Sequence, residues 1–388
     1  MKSSWLWLAA TAVLVSGCST SPSWRQVEPG TLQPASLAGA GDQLLVGGST
    51  SGAPAMAVIT AIGQASLLAL HPDGPEAEAA ELVKLAVHGD QVQALGTMIS
   101  GAHSNPRWTV WDGSLAANSM TSHPQEFFTF GGHDAGPLLG VDWVAAQPTI
   151  LGSRTTASGA RAALYQSTGP TWRESSEGPA ELASTKTSQL GFSALASSGE
   201  QLVIAGDEVL LTQPLQQRPL VWVGSPGGAW TRLEPTIAGV QGSGLARAQA
   251  VTCSADGGTC WVAGWVHRQL LTWTITTGAN PSVGPAEAPT RSATGTASGS
   301  TDPVPEIGLW QGRPVLAGNG PQADLFVRCN AGWRELPLPG DGSITVQPGQ
   351  SNSPGPSAQT TVRAMAAVGD RLYVLIDRTL WQIDRGPC

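Results

Sequence analysis

The sequence predicts an all-β fold, and three observations support that prediction. Short apolar runs separated by Gly-containing turns fill most of the chain, a pattern typical of strands joined by tight turns. Helix signals are nearly absent, and residues 75–86 are the only stretch with a good helical pattern, enough for one short helix. Hydrophobic residues make up 41% of the chain, and thirteen of the fifteen Trp follow residue 17, more than a disordered chain carries.

A repeated unit decides which all-β architecture the chain adopts. A tight turn followed by an apolar strand, which in most copies ends in Gly, occurs seven times in the sequence. Each turn lies between two apolar runs and therefore predicts a hairpin, whose strands we name a and b. Steps of 48 to 58 residues separate the successive turns, at Asp42, Asp90, Gln147, Glu200, Gly258, Arg313 and Asp370.

Two further strands complete each repeat. In six repeats the b strand is followed by a strand c that carries an aromatic residue: Trp111, Tyr165, Trp222, Trp273, Phe326 and Trp381. A short turn and a strand d beginning with Trp come next, most clearly at Trp172, Trp230 and Trp333. Seven repeats of four antiparallel strands predict a seven-bladed β-propeller. Two β-sandwiches are the alternative, but they would not require near-equal steps along the whole chain.

A displaced strand near the N-terminus predicts how the ring closes. The run S-P-S-W-R-Q-V-E-P-G (21–30) has the pattern of a d strand, with Trp24 in the usual place, but no blade precedes it. The seventh repeat has strands a, b and c, and only seven residues follow its Trp381. We therefore expect residues from Trp24 onwards to supply the missing outer strand and to cover an otherwise open sheet edge.

The N-terminal residues predict export and a lipid anchor. Lys2 is followed by an apolar run that is too short to span a bilayer but fits a secretory signal peptide. The sequence Val15-Ser16-Gly17-Cys18 resembles the lipobox of bacterial lipoproteins. That resemblance implies cleavage before Cys18, acylation of its thiol, and stable extracytoplasmic anchoring to the bacterial cell membrane. The expected organisation is a signal peptide (1–17), a short lipid-anchored tether (18–23) and a propeller (24–388).

Charge and composition narrow the classes of partner. The formal net charge is −8, and only Lys84 and Lys186 remain as lysines after residue 17. No basic run or stripe is present, so we expect no nucleic-acid partner. The expected partners are the membrane, through acylated Cys18, and an envelope protein or glycan. The sequence indicates no cofactor, because phosphate-binding and dinucleotide-binding fingerprints are absent.

Two turns carry a weaker family resemblance. S-T-G-P-T-W (167–172) and S-P-G-G-A-W (225–230) resemble shortened Asp-box motifs of sialidase-like propellers, with Gly169 and Gly227 in place of the Asp. The resemblance implies a propeller of that broad superfamily. Its sialidases use an Arg triad, a Tyr–Glu pair and an acidic acid/base. The two tyrosines, Tyr165 and Tyr373, fall on predicted strands c and b rather than on the channel-lining strand a, so we assign no catalytic residue.

One connection gathers the candidate binding residues. Residues 123–134 contain two His and two carboxylates, ligand types that can hold zinc or calcium, but the spacing matches no closed site. A solvated loop whose phenylalanines pack against the blades is the simpler interpretation, and no metal site is assigned. The candidate ligand-binding residues of this connection are Phe127, Phe128, Phe130, His133 and Asp134.

Four cysteines other than Cys18 predict two disulfides in an oxidising compartment. Cys253 and Cys260 flank the a–b turn of the fifth repeat and therefore face one another across a hairpin. Cys329 lies at the c–d turn of the sixth repeat, and Cys388 lies at the matching position of the seventh. We expect the pairs 253–260 and 329–388.

These features lead to two functional hypotheses. The first is a non-enzymatic, lipid-anchored protein that binds a protein or glycan, or scaffolds an envelope complex. The alternative is a sialidase-like glycan hydrolase or lyase acting at the propeller mouth. The short tether orients the ring: strand d of the last blade starts on the face with the a–b and c–d turns, so that face should lie towards the membrane. The long d–a connections, including 281–305 and 337–357, should then point outwards and carry the binding residues.

Overall fold

The strands of the chain form seven separate sheets arranged as a ring. The computed structural model describes residues 23–100, 105–175, 178–237, 244–289, 304–319, 323–339, 360–386 and 388. Each sheet contains four antiparallel strands in the order a, b, c, d, which confirms the seven-bladed β-propeller. The a strands contact one another in a closed cycle, so they line the centre of the ring.

The strand bounds follow the repeat that the sequence predicts. Strand β1 (Trp24–Val27) is first in the chain but belongs to the last blade. Blades 1 to 3 contain β2 (Gln33–Ala40), β3 (Gln43–Thr50), β4 (Ala53–Ile59), β5 (Ala65–Leu67), β6 (Ala69–His71), β7 (Glu81–His88), β8 (Gln91–Ser100), β9 (Asn105–Ser114), β10 (Ser119–His123), β11 (Ala135–Val144), β12 (Gln147–Thr156), β13 (Gly159–Thr168) and β14 (Thr171–Glu174). Blades 4 to 7 contain β15 (Ser188–Ser198), β16 (Gln201–Leu210), β17 (Gln216–Gly224), β18 (Trp230–Leu233), β19 (Ala250–Cys253), β20 (Thr259–Val266), β21 (Gln269–Thr276), β22 (Ser282–Val283), β23 (Glu306–Trp310), β24 (Arg313–Asn319), β25 (Ala323–Cys329), β26 (Gly332–Glu335), β27 (Val362–Val368), β28 (Arg371–Ile376) and β29 (Thr379–Ile383).

Few residues depart from this pattern. Strand β6 adds a fifth strand to blade 2, parallel to β10 at the outer edge. Short helical turns occur at α1 (Pro75–Glu78), α2 (Phe127–Phe130) and a 3₁₀ helix (Ala180–Leu182). The helical prediction for 75–86 is therefore wrong beyond Glu78. Residues 81–88 instead form β7, because pairing with β8 and burial of Leu82 against blade 1 override local helix propensity.

The hydrophobic core consists of seven layers between neighbouring blades. Each of seven buried clusters draws its side chains from two adjacent blades, and together they run around the ring. Buried Trp side chains also hydrogen-bond across these layers. Trp222 Nε1 donates to Glu181 O at 2.9 Å, and Trp273 Nε1 donates to Thr236 O at 2.9 Å. The Trp-rich composition thus stabilises contacts between blades.

The N-terminal strand closes the ring, as the sequence predicts. Strand β1 pairs antiparallel with β29 from Trp24↔Ile383 to Val27↔Leu380. The Trp24 side chain is buried between blades 6 and 7, and its Nε1 donates to Pro337 O at 2.6 Å. The last blade therefore contains one strand from one end of the sequence and three from the other.

A recurring irregularity shapes the central channel. A β-bulge interrupts the a–b register at the equivalent position of β2, β7, β11, β15 and β27. Opposite this position, the b strand contains a Gly in blades 1 to 6. In three of these blades, a Cβ on the Gly would lie within 2.0 Å of a carbonyl oxygen of strand a or of the segment that leads into it: Gly48, Gly206 and Gly264. In those three blades the Gly is therefore required by close approach of the neighbouring backbone, whereas at Gly96, Gly152 and Gly318 the nearest atom is a side-chain atom.

Candidate functional site

The two faces of the ring differ in their connections. The face with the d–a and b–c connections is named the loop face, and the opposite face, with the a–b and c–d turns, is named the turn face. Strand β1 begins on the turn face, because Trp24 pairs with Ile383 at the end of the last c strand. Cys18 lies outside the described residues.

A cleft of about 390 Å³ opens on the loop face at blade 2. Its walls are residues 73–77, the start of β9 at 106–109, and the connection 122–131 that includes α2. Three of the candidate residues that the sequence predicts lie on α2, and Phe127 and Phe130 line the cleft. The cleft therefore combines apolar rings with the polar side chains of the preceding loop.

The three phenylalanines of α2 have different environments. Phe130 is buried and makes an edge contact with Tyr165, with ring centroids 5.1 Å apart. Phe127 and Phe128 are 56% and 75% exposed, and the Arg107 guanidinium lies 5.4 Å from the Phe127 ring centroid. The expectation that all three pack against the blades is met only by Phe130, because the one-turn helix directs the first two rings outwards.

A polar network fixes the position of α2. Arg154 of β12 donates through Nη2 to the carbonyl oxygens of Phe128 and Thr129, at 2.8 and 2.9 Å. Its Nε lies 3.2 Å from the Glu174 carboxylate. Gln125, just before α2, accepts a hydrogen bond from Trp172 N at 2.8 Å. Because these groups belong to the sheet of blade 3, the exposed rings are held on a rigid support.

The possible metal ligands of this connection do not converge. His133 Nδ1 lies 2.9 Å from Asp134 Oδ1, and both side chains are exposed, outside the cleft. His123 lines the cleft and contacts the Asp112 carboxylate on β9 instead. Among the described residues, no group of three or more His, Cys, Asp or Glu side chains could hold a metal ion.

Exposed apolar side chains are concentrated on the loop face. Nine large hydrophobic residues are exposed in the described part of the chain, and seven of them lie at b-strand ends or in b–c and d–a connections: Ile99, Phe127, Phe128, Leu211, Leu215, Leu245 and Val304. Ile62 is on the turn face, and Leu67 is on the outermost strand of blade 1. This asymmetry distinguishes the two faces chemically.

The central channel contains charged residues that the sequence analysis missed. Its mouth, of about 300 Å³, is lined by the a strands of all seven blades, and its charged side chains are Lys84, Glu306 and Arg363. Burial raises the pKa of Glu306 to about 7, and nearby Lys84 offsets only part of that effect. The repeat itself assigns both residues to strand a. Lys84 lies six positions before the turn residue Asp90, and Glu306 lies seven positions before the turn residue Arg313.

The predicted cysteine pairs and tyrosine positions are confirmed. Disulfides join Cys253 to Cys260 and Cys329 to Cys388. Tyr165 lies on the c strand β13 and Tyr373 on the b strand β28, and both are buried away from the channel. In the described ranges, no helix has the length and apolar character needed to cross a membrane.

Comparison with known proteins supports the fold. No protein-family model matches the chain, and no curated protein matches it. The chain is similar to the β-propeller domain of the Trilobed protease from Pyrococcus furiosus, with a TM-score of 0.50, 8% identity, and coverage of 92% of this chain and 96% of that one. The periplasmic gluconolactonase PpgL of Pseudomonas aeruginosa gives a TM-score of 0.47 at 13% identity, covering 89% and 96%. Trypanosoma rangeli sialidase gives 0.42 at 11%, covering 81% and 54%. At 8% identity the similarity to the Pyrococcus furiosus domain shows the fold alone.

Proposed function

We propose that the protein is a lipid-anchored, extracytoplasmic binding protein whose loop face docks an envelope protein. The observation that carries the proposal is the concentration of exposed apolar side chains on that face, with Phe127 and Phe128 beside the cleft. Aromatic residues beside a pocket are typical anchors of protein interfaces. Arg154 holds the α2 backbone in place, so little conformational entropy would be lost when a partner binds.

The chemistry of the face favours a protein partner over a glycan. Phe127 and Phe128 pack edge to face at 5.2 Å, and leucines at 211, 215 and 245 extend the apolar character to blade 4 and the connection after it. Aromatic side chains are enriched in the apolar core of protein interfaces. Glycoside hydrolysis generally needs two carboxylates flanking the bond, whereas among the described residues the channel mouth contains one, Glu306.

The tether supports an orientation in which this face is accessible. Trp24 lies six positions after Cys18, a span of about 20 Å at full extension. Because β1 starts on the turn face, acylation of Cys18 would hold that face near the bilayer. The loop face would then point away from the membrane. The proposed anchor and the proposed docking surface are thus on opposite sides of the ring.

The anchor is tested by Cys18→Ser in a bacterial host that processes lipoproteins. We expect the substitution to move the protein from the membrane fraction to the soluble extracytoplasmic fraction, because it removes the acyl acceptor. Immunoblotting of fractionated cells measures the distribution, and the precursor band is followed in the same gel. A processed Cys18→Ser chain that still sediments with membranes would contradict the lipoprotein proposal.

The docking surface is tested by site-specific photocrosslinking in intact cells. A photoreactive phenylalanine analogue at position 128 is expected to give one discrete protein adduct, because Phe128 projects from the loop face. The same analogue at Ile62, which is 78% exposed on the turn face, is the matched control. The adduct should decrease at least about five-fold when Phe127→Ser removes the adjacent anchor. Equal adducts from both positions, or an adduct that glycosidases rather than proteases degrade, would contradict a protein partner on the loop face.

A further inference from the structure

The mouth of the central channel contains charged side chains that only partly neutralise one another. Two cations, Lys84 on β7 and Arg363 at the bulge of β27, share the cavity with one carboxyl group, Glu306 on β23. Lys84 and Arg363 form no hydrogen bond or ion pair with the described part of the chain, and Glu306 has no hydrogen-bond donor there. The other lining residues are uncharged, so the cavity has an excess of positive charge.

The bulges explain how Lys84 and Arg363 come to lie at the channel mouth. In a regular strand consecutive side chains point to opposite faces, but a bulge brings two neighbours to the same side. The register shift between Leu82 and Lys84 makes Val83 the extra residue of its strand, and Lys84 beside it lines the mouth. The shift between Val362 and Ala364 makes Arg363 the extra residue of its strand. The other blades contribute uncharged residues to the mouth, mostly Ala, Gly or Leu. The charged residues of the mouth therefore come from blades 2, 6 and 7.

We propose that the channel mouth binds a small organic carboxylate held by Lys84, Arg363 and Glu306. The two cations supply charge-assisted hydrogen bonds to the ligand's oxygens. Neutral Glu306 supplies an O–H donor, whereas ionised Glu306 repels the ligand. A volume of about 300 Å³ is at the lower end of the range for small-molecule sites. An adjoining cavity shares Ser193, Gln249 and Val304 and gives room for the rest of the ligand.

This arrangement makes binding dependent on pH. Glu306 is half-buried at the channel mouth, and burial raises its pKa to about 7, so the acid is protonated below neutrality and ionised above it. In the adjoining cavity, Arg247 lies 3.6 Å from Asp207, whose pKa burial also raises. Affinity for a carboxylate should therefore fall as the pH rises through about 7, and Glu306→Gln separates the contribution of Glu306 from that of Asp207.

Isothermal titration of the purified full-length chain with tartrate tests the proposal. We expect saturable binding that is about ten-fold weaker at about pH 8 than at about pH 6, following the protonated fraction of Glu306. Glu306→Gln retains a hydrogen-bond donor without a titrating proton, so its tartrate affinity should be the same at both pH values. Lys84→Met should weaken binding at least about ten-fold, whereas Lys186→Met, at the exposed second lysine, should leave it unchanged.

Two further ligands and a fold measurement define the outcomes. Tartramide, the neutral analogue, should not bind, and sulfate should bind more weakly than tartrate. Near-ultraviolet circular dichroism and the thermal unfolding midpoint show whether each variant keeps the native ring. Absence of saturable tartrate binding, equal binding of tartramide or sulfate, or wild-type affinity in folded Lys84→Met would overturn the proposal. The site is separate from α2, so loss of protein docking in Phe127→Ser leaves this result unaffected.

Discussion

Removal of the Trp24 side chain is expected to destabilise the entire ring. Trp24 is buried among side chains of blades 6 and 7, including Leu336 and Ile383, and its indole N–H bonds to Pro337 O. Trp24→Ala should lower the free energy of unfolding by about 3–5 kcal/mol, the usual cost of deleting a buried Trp. Urea unfolding followed by intrinsic fluorescence measures this change.

The reason for a global effect is the position of β1. Without it, β29 would present an unpaired edge, and blades 6 and 7 would lose part of their shared core. Gln26→Ala is the matched control on the same strand, because among the described residues the Gln26 side chain bonds to exposed Glu28 alone. We expect the control to unfold within about 0.5 kcal/mol of wild type. If Trp24→Ala and Gln26→Ala unfolded at the same urea concentration, β1 would not be the element that closes the ring.

The fold was predictable from the sequence because the a–b turns of successive repeats have similar sequences. A tight hairpin needs residues that tolerate its backbone conformation, so the a–b turns recur as polar or Gly-containing sequences even where the strands differ. Strand c keeps a large aromatic because it fills the layer between blades, as Trp111, Tyr165 and Trp222 do. The displaced d strand was recognisable for the same reason, since Trp24 occupies the place of Trp172 and Trp230.

The candidate site was only partly predictable, because it depends on contacts between different blades. The sequence predicts Phe127 and Phe130 as binding residues but does not show that Phe127 is exposed and Phe130 is buried. That difference depends on contacts of α2 with Arg154 and Tyr165, both on blade 3. The channel charges were missed because the a strands consist mainly of apolar and small residues, among which Lys84 is a single charge. The placement of Lys84 and Arg363 at the channel mouth follows from the bulges of β7 and β27, which leave no local signature in a single repeat.

Substitution of the repeat glycine of blade 5 is expected to have the second large effect on stability. A Cβ at position 264 would lie 1.8 Å from Arg247 O and 2.9 Å from the Ala248 Cα. Both are backbone atoms, and hydrogen bonds from Arg247 N to Trp265 O (3.0 Å) and from Gln249 N to Ala263 O (2.8 Å) hold that segment against β20. The a-strand segment cannot withdraw without breaking these bonds, so Gly264→Ala should cost about 1–3 kcal/mol or more.

Gly258→Ala is the matched control for this prediction, because Gly258 lies in the a–b turn of the same blade and a Cβ there meets nothing within 4 Å. We expect the control to keep the unfolding midpoint of wild type, while Gly264→Ala shifts it to lower temperature. Differential scanning calorimetry of wild type, Gly264→Ala and Gly258→Ala under the same conditions measures the three unfolding midpoints. The a strands line the channel, so Gly264→Ala should also weaken tartrate binding if Gln249 and its neighbours move. Identical midpoints for the two variants would show that the repeated Gly is not required by the close approach of strand a, and that its recurrence in six blades has another cause.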